Sequence, residues 1–486
     1  MNLFQKKRAG TLQSALFYSS IESVCEQAIV FVTGIILARN LEPSSYGICG
    51  VLMVFVTISQ GLVDAGLGAS LIYHRDPRYE YRDSVTVFWI NIFFSLICYV
   101  VLFATAGLIA DFNKTPEMRG LLRVLALLII INAFGLVQKS LLRKKLNILP
   151  IAASNIVGYV IGGGIGIACA IRGMEAWSLV YYRLSKTTIE VLILYCCSSW
   201  RPRLIFCFER ARVLFRYGII IAVQGIVENV FNNIHTLIIG HFYGMSDTGF
   251  FSRAQSLVSM PQVFLLSITG RVYFPYFASQ RDNLALAKEK FTEFITVLCT
   301  LLMIALGALW VAAAPVVQIL LTNKWAAAAP LIRILCMFMW AFPILNTTNA
   351  LLNGIGAASA VVRLTVVQKT TMLVIALICT FFPLKVFAFG IGIGVLLNVT
   401  FGLFVVNRHV PLNLFHIAWT LGARLICIAL VCYGLFSGME RLNLGAFARV
   451  AAAMLIGGCC ALTYMGIVYR SLVAKYYSAF LARIRS

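Results

Sequence analysis

Apolar residues run in long blocks along this chain, and short polar stretches separate the blocks. A helix that crosses a bilayer needs roughly 20 such residues. Fourteen blocks reach that length, near residues 15–38, 47–72, 84–109, 119–142, 150–171, 176–197, 214–240, 248–272, 291–321, 328–353, 359–382, 386–407, 416–437 and 445–470. No connection exceeds about 20 residues, too short for an extramembrane domain. The pattern predicts an all-α polytopic membrane protein of about 14 transmembrane helices. Residues 200–216, WRPRLIFCFERARVLFR, interleave apolar and basic residues and predict a short amphipathic helix lying in the inner interface.

Composition agrees. Of 486 residues, 60% are hydrophobic and 12% charged, where soluble domains run near half apolar and a quarter charged. The net charge of +22 would suggest nucleic acid in a soluble protein. Here it follows the loops. One alternating set holds about 24 Lys and Arg and the other about 7, which predicts both termini on the cytoplasmic side. The basic pI then needs no nucleic-acid partner. The start, MNLFQKKRAG, leads into an apolar run without a small-residue cleavage site, so the first helix is expected to stay.

The chain also repeats weakly. At an offset of 202, Glu26 meets Glu228, Gln27 meets Asn229, Arg39 meets His241, Ser44 meets Ser246, Gly47 meets Gly249 and Gln60 meets Gln262. At 210, LLRVLALL (121–128) lies over LIRILCMF (331–338), and at 212, AWSL (176–179) over AFGI (388–391). Six spans separate each pair, so the halves share one orientation. The expectation is two pseudo-symmetric six-helix lobes around a central cavity, plus two extra C-terminal helices. The boundaries expected are 1–199 for the N-terminal lobe, 200–213 for an amphipathic cytoplasmic linker, 214–410 for the C-terminal lobe, and 411–486 for helices 13 and 14 with a basic tail.

Candidate chemistry lies inside the spans. Glu22 and Glu26 are one turn apart on one face of the first. The seventh carries Gln224, Glu228, Asn229, Asn232, Asn233 and His235, of which Gln224, Glu228, Asn232 and His235 form a stripe. An acid at bilayer depth costs on the order of 2.5–3.5 kcal/mol, so these groups face a water-filled cavity or satisfy one another in a dry interface. Arg123, Arg183, Lys186, Arg253, Arg333, Lys369 and Arg424 lie within or near the ends of apolar runs. Either they snorkel to an interface, or some line a path for an anionic substrate. Arg123, Arg253, Arg333 and Lys369 are the candidates for the latter. Asp64 is a candidate for a helix end or hinge. The glycines of GYVIGGGIG (158–166) and GIGIG (390–394) predict close helix packing rather than a phosphate loop. Pro261, Pro315 and Pro343 predict interruptions in later spans. Cysteines and histidines are scattered, so no catalytic set, metal site or cofactor is expected.

Several stretches resemble the polysaccharide-transporter branch of the MOP superfamily, the Wzx-type oligosaccharide flippases. They are ILARNLEPSSYGICGV (36–51), GLVDAGLGASLIYHRD (61–76), WRPRLIFCFERARVLFRYG (200–218), YGMSDTGFFSRAQSLVSMPQ (243–262) and VYFPYFA (272–278). The resemblance covers roughly residues 10–380, and long-chain exopolysaccharide exporters look nearer than the drug-extruding MATE branch. It implies a flippase carrying undecaprenyl-diphosphate-linked oligosaccharide across a bacterial inner membrane by alternating access. Membrane lipid and a polysaccharide polymerase are the implied partners, and H+ or Na+ coupling would fall on Glu26 or Glu228. The alternatives are a MATE-like antiporter of small molecules and a MurJ-like transporter of a peptidoglycan precursor. An integral-membrane sugar polymerase or ligase fits less well, because the outer loops are too short to hold a site.

Overall fold

The computed structural model describes residues 12–64, 66–73, 79–281, 283–441 and 445–468. The basic stretches 5–8 and 74–78 and the tail beyond 470 lie outside the described residues. Among the described residues the regular structure is helical throughout. The helices are α1 (Leu12–Asn40), α2 (Pro43–Asp64), α3 (Leu67–Tyr73), α4 (Glu80–Phe112), α5 (Met118–Leu125), α6 (Leu127–Lys144), α7 (Leu149–Ile171), α8 (Ala176–Cys197) and α9 (Phe208–Phe242). They continue as α10 (Met245–Ser279), α11 (Leu284–Leu321), α12 (Ala328–Met339), α13 (Phe342–Gly354), α14 (Ala358–Cys379), α15 (Leu384–His409), α16 (Leu414–Arg441) and α17 (Ala446–Val468).

Among the described residues, ten helical segments are long and apolar enough to cross a membrane. The four remaining predicted runs coincide with α1, α8, α9 and α10. Three runs are each built of two helices: α2 with α3, α5 with α6, and α12 with α13. Pro343 sits in the first turn of α13, where the tenth run breaks, because proline has no N–H to continue the ladder. Pro315 lies inside an unbroken α11.

The chain divides into two compact units, Met1–Ser252 and Arg253–Ser486. The core of the first gathers Leu52, Val56, Leu121, Leu122, Leu125 and Ile129, all nearly inaccessible. The second has its own core around Phe277, Phe291, Ile295, Ile344, Leu351 and Leu364.

The weak repeat has structural counterparts. The span made of α5 and α6 runs from Met118 to Lys144, and that made of α12 and α13 from Ala328 to Gly354; both ends correspond at the offset of 210. Within the first unit, α2 and the start of α10 cross with no side chain between them. A Cβ on Gly47 would strike the carbonyl of Met245, and one on Gly249 would strike that of Pro43. Met245 and Pro43 are themselves 202 apart, so the crossing is self-complementary. Only glycine fits at both positions.

One expectation is corrected. Residues 198–207 form no helix, and helix begins at Phe208. Pro202 disfavours helical backbone at Arg201, and the first turns of α4 supply partners that a helix would otherwise provide. Trp200 Nε1 donates to Ser84 Oγ at 2.9 Å, Tyr81 Oη to the Arg201 carbonyl at 3.0 Å, and Trp89 Nε1 to the Arg203 carbonyl at 2.8 Å. The Cys207 N–H donates to Thr86 Oγ1 at 3.3 Å. Arg210 then closes the strap with a two-pronged bond to Asp83, at 2.6 and 2.7 Å.

Candidate functional site

Five half-buried side chains of the first unit, Glu22, Glu26, Asn155, Tyr159 and Lys186, join the buried Glu190 in one connected network. Glu22 and Glu26 point from α1 onto α7, where Asn155 Nδ2 donates to Glu22 at 2.7 Å and Tyr159 Oη donates to Glu26 at 2.6 Å. Asn155 and Tyr159 are also one turn apart, so the two pairs meet in register. From α8, Lys186 lies 4.5 Å above the Tyr159 ring. Its ammonium donates to Asn155 Oδ1 at 3.5 Å and to Glu190 at 2.6 Å. Glu190, 1% exposed, also forms an ion pair with Lys139 of α6.

Glycines make this contact possible. On α7, a Cβ at Gly158 would sit 2.8 Å from the Lys186 carbonyl, one at Gly162 2.8 Å from Lys186 Cα, and one at Gly166 2.7 Å from Tyr182 Cβ. That face lets α8 lie directly on α7, as small residues do in membranes. On another face, Gly163 would meet Thr33 of α1. The expected close packing is thus what seats Lys186 among its acceptors. In α15, Gly392 and Gly394 similarly admit Phe338 and Met372.

Three carboxylates, Glu22, Glu26 and Glu190, face two ammoniums, Lys139 and Lys186. Arg183, one helix turn before Lys186 on α8, adds its charge near Tyr159.

The other sequence candidates fall elsewhere. On α9, Glu228 and Asn232 are exposed, and Asn229 and Asn233 are half-buried with the Asn233 amide on the Asn229 carbonyl at 2.8 Å. His235 packs edge-on against Phe251 at 5.9 Å. The side chain of Gln224 lies outside the described residues. The four cations proposed for an anionic substrate sit on four different helices. Arg123 of α5 stacks on Phe103 at 4.4 Å, and Arg333 of α12 lies over Phe436 at 5.0 Å and Trp310 at 5.6 Å. Arg253 and Lys369 are half-buried on α10 and α14. Asp64 accepts the Gly68 N–H at 3.3 Å across the break between α2 and α3, where Gly66 takes a left-handed φ of 67°.

Sequence reasoning missed Lys139, Asn155, Tyr159 and Glu190 as parts of a site. A signal was present: Asn155 with Tyr159, and Lys186 with Glu190, repeat the i, i+4 spacing of Glu22 with Glu26.

Helices of bilayer length with polar groups linked between them make a polytopic membrane architecture. Residues 36–330 match the Polysaccharide biosynthesis protein family, and the chain belongs to that family. It is 28% identical over 315 residues to the succinoglycan biosynthesis transport protein ExoT of Rhizobium meliloti, covering 64% of this chain and 63% of that one. It is 26% identical to the teichuronic acid biosynthesis protein TuaB of Bacillus subtilis, over 64% of this chain and 67% of the relative. It is 23% identical to the lipopolysaccharide biosynthesis protein WzxC of Escherichia coli, over 58% and 57%. The match thus spans about three fifths of the length of these relatives. Among solved structures, the lipid II flippase MurJ in an inward closed conformation superposes with a TM-score of 0.76 at 12% identity, covering 94% of this chain and all of that one. An inward-facing multidrug resistance MATE family transporter of the MOP superfamily gives 0.63 at 18%, covering 80% and 98%. These two establish the fold.

Proposed function

We propose that this protein is a flippase for a lipid-linked oligosaccharide. It carries an undecaprenyl-diphosphate-linked repeat unit from the cytoplasmic to the periplasmic leaflet of a bacterial inner membrane, by alternating access, for polysaccharide assembly outside. It is a transporter and not an enzyme. Both termini face the cytoplasm, and a polysaccharide polymerase consumes the translocated unit.

The observation that carries the reading is the network from Glu22 and Glu26 through Asn155, Tyr159 and Lys186 to Glu190, held inside an apolar bundle of this family. Sugar hydroxyls cannot be desolvated into hydrocarbon without partners, so a sugar carrier must line its path with polar groups. The exposed Asn232 amide and Glu228 carboxylate of α9 suit that lining. The paired acids of α1, held by the Asn155 and Tyr159 donors of α7, suit coupling to H+ or Na+, with Glu26 as the ion-responsive group and Glu228 as its counterpart in the repeat. Arg123, Arg253, Arg333 and Lys369 are the candidates for meeting the diphosphate.

The test is depletion of the protein followed by mass spectrometry of the lipid-linked sugars. Undecaprenyl-diphosphate oligosaccharide accumulates on the inner leaflet if the reading is right. Unchanged lipid pools with altered efflux of cationic dyes refute it in favour of a small-molecule antiporter.

A further inference from the structure

The strap between α8 and α9 is held against the first turns of α4 by the bonds described above, and its own apolar side chains are left outside. Leu204 is 91% exposed, Phe206 53%, and Phe208, the first residue of α9, 79%. A loop bathed in water does not gather large apolar side chains this closely. Phe206 and Phe208 also form one wall of a cavity of about 640 Å³, with Trp89, Phe93 and Phe94 of α4 opposite. Among the described residues, Arg212 is the one charged side chain in its lining.

The polar part of the strap is rich in arginine. Arg210 is taken by both oxygens of Asp83 and lies 4.5 Å over the Tyr79 ring. Arg201 donates to the Ser198 and Trp200 carbonyls at 2.5 and 2.8 Å, and Arg203 lies 5.6 Å from the Tyr81 ring. Arg212 is exposed, and among the described residues no ion pair engages it. On the described first turns of α4 and α9, Asp83 is occupied by Arg210, and Glu80 by Lys144 at 3.5 Å. That leaves Glu209, exposed and outside the cavity lining, against Arg201, Arg203 and Arg212. The strap stays net positive with every one of these carboxylates counted.

Depth places both parts in a bilayer. Helix α4 has 33 residues, about 50 Å of length, against ~30 Å of hydrocarbon. Centred, it leaves about six residues outside at each end, which puts one hydrocarbon boundary near Thr86. The strap bonds to α4 between Tyr81 and Trp89, across that boundary, and Cys207 bonds to Thr86 itself. Phe93 and Phe94 lie deeper, at the level of acyl chains. Arg212 is little more than one turn into α9 from Cys207, and its long stem lets the guanidinium reach the phosphate level. A guanidinium beside hydrocarbon is costly without a counter-charge. An apolar cavity open to lipid gains dispersion contacts when a chain fills it.

Charge selects the headgroup. No carboxylate lines the cavity among the described residues, so the ammonium of a zwitterionic lipid finds no partner there. A polyprenyl diphosphate brings at least two negative charges to a single lining arginine. One phosphate diester matches one guanidinium, whose fork suits its oxygens. We propose that α4, the strap and the start of α9 form a site for one anionic glycerophospholipid of the phosphatidylglycerol type. Its phosphate sits on Arg212, and one acyl chain lies between Phe208 and the Trp89 and Phe93 side of the cavity. Arg201 and Arg203 add attraction for a leaflet rich in such lipids. The site's chemistry does not depend on which cargo the protein carries.

The full-length protein is purified in mild detergent from membranes holding phosphatidylglycerol, phosphatidylethanolamine and polyprenyl diphosphates, and its retained lipid is counted by native mass spectrometry. Arg212→Gln, which removes the fork, and Phe208→Ser, which removes an exposed wall, should each lose about one phosphatidylglycerol per chain. Arg172→Gln, at an exposed arginine in the loop at the other end of α8, should lose none. Delipidated wild-type protein, which needs no variant to fold, should gain thermal stability from added phosphatidylglycerol and not from phosphatidylethanolamine or inorganic phosphate. The proposal is overturned if both variants keep the wild-type count, if Arg172→Gln loses as much as they do, or if the lipid they lose is a polyprenyl diphosphate or phosphatidylethanolamine. Equal stabilisation by all three additives overturns it as well.

Discussion

Glu190→Gln removes the one carboxylate that two ammoniums share. The wild-type side chain is 2% exposed, against 18% for Lys186 and 24% for Lys139. Without it, two like charges lie side by side with no counter-ion between them. Breaking a buried ion pair by removing one partner costs about 3–5 kcal/mol. The lysines keep some contact with solvent, so a cost below that range, about 2–3 kcal/mol, is expected once exposure is discounted. The chain brings its own reporter. Cys49, Cys299 and Cys336 are buried, whereas Cys196, Cys427, Cys459 and Cys460 are exposed. A thiol-reactive dye therefore reports the opening of the core as a thermal transition from the buried set. Glu190→Gln should lower that transition, and adding Lys139→Met should restore part of the loss by removing one of the stranded charges. A Glu190→Gln protein that melts with the wild type, or a double variant less stable than the single, would refute the electrostatic account.

Four further outcomes follow from the same geometry. Tyr159→Phe strips Glu26 of its donor and should cost about 1 kcal/mol in the same melt, while Phe keeps the ring beneath Lys186. Gly162→Ala should destabilise by about 1–3 kcal/mol because its Cβ meets the α8 backbone, whereas Gly164→Ala, with nothing within 4 Å, should be neutral or better; equal effects would sink the packing argument. Gly47→Ala forces α2 off the Met245 carbonyl, so labelling of the neighbouring Cys49 under native conditions should accelerate, and unchanged labelling would mean the crossing is not tight. Glu26→Gln and Glu228→Gln should both insert normally and reduce polysaccharide export; normal export from both would make these carboxylates structural.

The strap at 198–207 shows where local reading stops. Its interleaved basic and apolar residues are compatible with an interfacial helix, and nothing nearby in sequence says otherwise. The non-helical form is chosen by groups more than 100 residues away, Ser84, Thr86, Trp89 and Asp83, which offer its backbone and side chains better partners than a helix turn would. The acids of α1 teach the same lesson. Their shared face was legible from spacing alone, but the residues opposite, Asn155 and Tyr159, could have belonged to any of the spans that carry a polar pair.

What the sequence determined by itself was the class of molecule: apolar blocks of bilayer length, loops of alternating charge, and a faint repeat whose paired residues Gly47 and Gly249 cross in space. Those features depend on periodicity, composition and the absence of water in hydrocarbon, all of which act along the chain. The tertiary structure alone decided which polar faces meet, that Lys186 closes onto Glu190 and Asn155 through a glycine face, and that Arg212 ends beside an aromatic cavity. These depend on which helix lies against which, and within a membrane that choice rests on close packing and hydrogen bonds between distant segments.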